Sequence, residues 1–214
     1  MQLIITTVNQ KGSGCMSLKK WKNVFTKREF VKLIFAVARK NMREFNYTKM
    51  PYIMEKKLEG DCVMCFYGDG KFTAIAYDYA KFKRKIGDDT YKNQYSLAVQ
   101  CMSHEMRHYY QHRKITTKRP VENKETIAKW KEDNAIKTRG KEKIDDYEYW
   151  FSARELDANL YSYIFTLNNV NRVSLNSIRN LQHFKALKKL YKQNGGKNVR
   201  RYFPNKIKNI VKDK

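Results

Sequence analysis

The chain has 214 residues, enough for one domain with its own core plus appendages, and 42% are hydrophobic, which excludes a wholly disordered chain. Forty-five basic residues against 21 acidic ones leave a net charge of +24: either a surface that attracts polyanions or lysine written onto solvated faces. The most apolar windows, 3–8 and 30–38, fall far short of the roughly 20 residues a bilayer demands, and no basic region precedes the first. No membrane partner and no signal peptide are therefore expected; the expected compartment is the cytoplasm, with Cys15, Cys62, Cys65 and Cys101 as reduced thiols.

Residues 1–25 read as a leader. After an apolar run, Asn9-Gln10-Lys11-Gly12-Ser13-Gly14 has the look of a phosphate loop, but Cys15-Met16-Ser17 follows where Gly-Lys-Ser/Thr is needed, so nucleotide binding is not expected. Thr26-Lys27-Arg28-Glu29 is a capping box, and Phe30, Leu33, Ile34, Val37, Ala38 and Phe45 follow at helical spacing, which predicts a helix over 27–45. Two short apolar runs, 62–67 and 72–77, flank Gly68-Asp69-Gly70-Lys71 and predict a hairpin. The alternation over 81–86 predicts a third, edge strand. Helices are expected over 95–113, 125–137, 145–167 and 175–192, the last stopped by Gly195-Gly196, with 114–144 as a long charged insertion.

The chemistry concentrates in His104-Glu105-Met106-Arg107-His108, an HExxH pattern inside the 95–113 helix. Leu97, Cys101, His104, His108 and Gln111 share one face, so two imidazoles one turn apart can reach a single ion. Glu105 is too far around the helix to be an easy third ligand, but it can hold water at the ion's open position. Zinc hydrolysis needs both parts: a metal that acidifies water and a carboxylate that takes its proton. This predicts Zn2+ as cofactor, His104 and His108 as ligands and Glu105 as the catalytic base.

A third protein ligand is required. His112 continues the spacing, but eight residues of helix rise about 12 Å, too far for one ion to touch both ends. His183 has no partner motif, and position 114 is Lys114. A carboxylate is therefore expected from Arg154-Glu155-Leu156-Asp157-Ala158-Asn159. Tyr149, Ala153, Leu156, Leu160, Tyr163 and Leu167 form an apolar stripe along this helix, where an uncompensated carboxylate is costly. Glu155 shares its side with Ser152, Asn159 and Ser162, small or polar residues that allow close helix approach, and is favoured over Asp157. The alternative for both is a salt bridge to Arg154 or a lysine.

The order helix, hairpin, HExxH helix, and then a helix carrying Glu-x-Asp-Ala-Asn followed by an aromatic, Tyr161 or Tyr163, resembles the compact gluzincins, the ImmA/IrrE-type and related small zincin-like metallopeptidases, over roughly residues 60–167. The resemblance implies an α+β, zincin-like fold: a short antiparallel sheet packed on helices, with the HExxH helix bearing the active site. It implies His104, His108 and Glu155 as zinc ligands, Glu105 as general base, and Asn159 as a polar neighbour of a zinc histidine. The gap between His108 and Glu155 is longer than in compact members of the group. The expected activity is hydrolysis of a protein or peptide substrate by zinc-activated water, within a metallopeptidase domain spanning 26–168.

Residues 169–214 form a basic helix and tail; from 179 onward it holds twelve Lys/Arg and one acidic residue, interleaved with Phe184, Tyr191, Tyr202 and Phe203. That composition suits nucleic acid. It supports the alternative function, a basic nucleic-acid-binding protein whose HExxH is accidental or inactive. Cys62-Val63-Met64-Cys65 has zinc-ribbon spacing but no second pair, and is expected in the core.

Overall fold

The computed structural model describes residues 25–60, 62–86, 91–117, 122, 124–138 and 152–170. The leader before Phe25, the 175–192 helix, His183 and the basic tail lie outside the described residues, as does the first part of the expected 145–167 helix, with Tyr147, Tyr149 and Trp150.

The first helix, α1 (Lys27–Phe45), starts where its capping box says it should. Thr26 Oγ1 accepts from the Glu29 amide at 3.2 Å, and Glu29 Oε2 accepts from the Thr26 amide at 3.0 Å. It ends at Asn46, whose left-handed backbone (φ 55°) turns the chain away. Phe30, Leu33, Ile34, Val37 and Ala38 are buried at the spacing seen in the sequence; Met42 joins them, while Phe45 is half-buried.

Three strands follow: β1 (Tyr52–Glu55), β2 (Met64–Asp69) and β3 (Phe72–Tyr77). β2 and β3 form the expected hairpin, with Phe66 opposite Ile75, and Gly70 takes the positive φ of 52° that its turn requires. The sheet is not purely antiparallel. β1 pairs parallel to β3, with Ile53 opposite Ile75, giving the order β1-β3-β2. The third strand is thus 52–55, and the segment expected as an edge strand is instead helix α2 (Tyr79–Ile86). The reason is local: Asp78 Oδ1 accepts from the Lys81 amide at 2.8 Å and caps a helix, burying Phe82 against Phe25 and Phe30. One sheet face (Ile53, Met64, Phe66, Ile75, Tyr77) joins the core, while Tyr52, Met54, Tyr67 and Phe72 on the other are exposed.

The long helix α3 (Tyr91–Thr116) packs against α1, β2 and the last described helix. Helix α4 (Lys124–Thr138) matches the expected 125–137 segment, and α5 (Ala153–Asn169) packs against both α3 and α4. Ala98, Val99, Met102, Met106 and Tyr109 bury the apolar side of α3 in the common core. On α5 the expected apolar stripe is only half-buried at Leu156 and Leu160. The fully covered row is Glu155, Ala158, Asn159, Ser162 and Thr166, because this row meets the polar side of α3. The described architecture is α+β: five helices around a small three-stranded mixed sheet. No described helix is long and apolar enough to cross a membrane.

Candidate metal centre

At 100° per residue, His104, His108 and Gln111 fall within about 60° of one another on α3. Glu105 projects a quarter-turn to one side and Arg107 to the other. The histidine and arginine directions meet α5, and the glutamate direction meets the hairpin.

The histidine face meets α5. His104 Nε2 and His108 Nε2 are 3.0 Å apart, and Glu155 Oε2 lies 3.2 Å from the first and 3.3 Å from the second. Among the described residues this is the one group of three potential ligands drawn together, and it could hold a metal ion. The Glu155 side chain is 1% exposed. Burial pushes its carboxyl pKa up; when the His108 and His104 rings carry a second proton, their charges and hydrogen bonds outweigh that and hold it well below the usual carboxylate range. Small residues beside it, Ala158 and Ser162, are fully buried and let the helices come this close.

Asp157 is not part of the group. It takes Arg107 in a bidentate pair, Nε to Oδ2 at 2.8 Å and the second nitrogen to Oδ1 at 3.0 Å. The Arg107 guanidinium also lies over the rings of Tyr110 (4.4 Å) and Tyr161 (5.1 Å). Of the two carboxylates left open by the sequence, one faces the histidines and the other an arginine.

The Glu105 side meets the hairpin. Its Oε2 accepts the Phe66 amide of the edge strand β2 at 2.8 Å. Burial raises its pKa; the nearby histidines and that amide oppose the shift, and Glu155 adds to it. Strand and helix come this close partly because position 68 is glycine: a Cβ there would stand 2.8 Å from His112 Nδ1 and from the Phe66 ring. His112 turns to the hairpin, where its Nε2 lies 3.3 Å from the Gly70 carbonyl, and does not join the histidine pair. Lys114 lies over the Tyr110 ring at 5.1 Å.

Sequence reasoning did not foresee the residue behind His108. Gln111 Oε1 lies 2.8 Å from His108 Nδ1, and Gln111 Nε2 donates to the Arg154 carbonyl at 2.9 Å and to Asp157 Oδ2 at 2.7 Å. Asn159, expected in such a role, is buried on the same α5 face, but the contact on His108 Nδ1 comes from Gln111. The signal was present as a glutamine at i+3 from a histidine. Cys62 is exposed just before β2 rather than in the core, and neither it nor Cys65 enters the ligand group. Half-buried Cys101, one turn before Glu105, has its thiol pKa pushed up to about 12, chiefly by desolvation.

Comparison of the chain with protein-family models, with curated proteins and with solved structures yields no match.

Proposed function

We propose that the chain is a zinc-dependent metallopeptidase of compact gluzincin character, with His104, His108 and Glu155 as ligands and Glu105 as general base. The observation that carries this is the ligand triangle, with edges of 3.0, 3.2 and 3.3 Å. Tetrahedral zinc with bonds of 2.0–2.2 Å needs neighbouring donors about 3.3–3.6 Å apart, so these edges stand at or a few tenths of an ångström inside the short end of that range. Two neutral imidazoles and a carboxylate are also the donor chemistry of a catalytic zinc with one position left open. Bound there, zinc would polarise a scissile carbonyl and lower the pKa of water.

Each residue then has a distinct task. Glu155 supplies a buried negative charge that a dication neutralises, which accounts for a carboxylate at 1% exposure in a helix interface. Glu105, one step around α3, takes a proton from the attacking water and delivers it to the leaving amine. The Phe66 amide orients the Glu105 carboxylate from the strand side.

The test is Glu105→Gln. The amide keeps the shape and leaves the three ligands in place, so zinc content should match wild type while hydrolysis of a generic peptide falls by about 10²–10⁴ or more. Undiminished hydrolysis by this variant would overturn the mechanism.

A further inference from the structure

We infer that Gln111 is a positioning residue for the metal: its carboxamide holds His108 in the Nδ1–H tautomer, so that the Nε2 lone pair faces His104 and Glu155. The inference rests on the metal-site reading above and assigns a role that the ligand pattern alone does not.

The orientation of the carboxamide is fixed by partners that cannot exchange roles. The Arg154 carbonyl and the Asp157 carboxylate can only accept, and both lie on one end of Gln111, at 2.9 and 2.7 Å. That end is therefore the NH₂. The Arg154 Nε–H can only donate, and it lies 3.4 Å from the other end, which is therefore the oxygen. An amide oxygen facing His108 Nδ1 at 2.8 Å requires the ring proton on that nitrogen. A neutral imidazole has one proton, so Nε2, 3.3 Å from Glu155 Oε2, is left as a donor of electrons. The chain of contacts continues to Arg107, which grips the same Asp157. Gln111 is fully buried, so water cannot readily replace its oxygen. The carboxamide thus does two separable things: its NH₂ clamps α3 to α5, and its oxygen sets the tautomer.

Gln111→Met removes both tasks at similar volume. Gln111→Glu removes the clamp but keeps an oxygen for Nδ1–H. Three readouts are taken on each protein: the unfolding midpoint in chelator, zinc affinity by competition with a chromophoric chelator, and the His108 tautomer from nitrogen-15 imidazole shifts of the metal-free chain above the histidine titration range, assigned with His108→Gln. Both variants should lose stability. Only Gln111→Met should lose zinc affinity, by about 10–100-fold, and shift the His108 proton toward Nε2; Gln111→Glu should keep the Nδ1–H form and near wild-type affinity. If both variants lose zinc affinity in step with stability, or if Gln111→Met keeps the tautomer and the affinity, the positioning role is wrong although the metal site stands. If wild type binds no zinc yet shows Nδ1–H that only Gln111→Met abolishes, the tautomer assignment stands and the metallopeptidase reading falls.

Discussion

Asp157→Ala removes the acceptor that holds α3 and α5 together beside the ligand group. Arg107 then loses two charge-assisted hydrogen bonds, at 2.8 and 3.0 Å, and Gln111 loses one of its two acceptors at 2.7 Å. The side chains of Arg107 and Asp157 are 6% and 10% exposed, so water cannot simply take the place of the carboxylate. Truncating one partner of a buried pair costs about 3–5 kcal/mol, because the surviving charge loses the pair's hydrogen bonds where water cannot replace them. The aromatic rings under Arg107 keep part of its environment favourable, which argues for the lower half of that range. Urea unfolding of the metal-free chain measures the loss, in a double-mutant cycle with Arg107→Met. Removing both charges should cost less than the sum of the two single losses, since no charge is then left without the pair's hydrogen bonds. Zinc stoichiometry should survive in the folded fraction, because Asp157 supplies no ligand atom. A loss below about 1 kcal/mol, the range of exposed ion pairs, would refute the buried-clamp argument. Loss of the metal from Asp157→Ala but not from Glu155→Ala would refute the ligand assignment.

The carboxylates Glu105, beside the histidines, and Asp78, at the start of α2, should respond oppositely to neutralisation. Glu105 has a folded pKa above its unfolded one, so its ionisation counts against the metal-free fold as pH rises; Glu105→Gln should unfold at a midpoint at or above wild type at neutral pH in chelator, and a clear drop would contradict the sign. Asp78 has its pKa lowered, chiefly by the Lys81 amide, so its contribution is present above the unfolded value of about 3.9 and fades as pH falls through the lower folded one. Asp78→Asn should lose part of that acid sensitivity in thermal melts at stepped pH, and an unchanged profile would count against the cap. Gly68→Ala must displace the His112 and Phe66 rings, a cost of about 1–3 kcal/mol by overpacking; equal stability by urea unfolding would show that β2 is not seated against α3 as described.

Much of the fold was legible because its causes are local. The Thr26–Glu29 capping box starts α1, the Gly68-Asp69-Gly70-Lys71 turn joins β2 to β3, and the histidine spacing belongs to α3. Where the cause is distant, the sequence misled. The strand β1 is four residues long and mostly exposed, and it is defined by parallel pairing with β3 some twenty positions later. The alternation over 81–86 looked extended, yet Asp78 caps a helix there while its other oxygen holds the Leu58 amide at 3.1 Å. At the site, Glu155 and Asp157 are two positions apart and chemically alike. What separates them is Arg107, fifty residues earlier, which takes Asp157 and leaves Glu155 to the histidines. The Phe66 amide behind Glu105 had no sequence signal, since every residue but proline carries one.

The most direct measurement is elemental analysis of the full chain purified without chelator, followed by zinc titration of wild type and Glu155→Ala. Wild type should hold about one zinc per chain and Glu155→Ala should bind it far more weakly. Wild type that neither carries zinc nor takes it up on titration would contradict the assignment of His104, His108 and Glu155 as a metal centre.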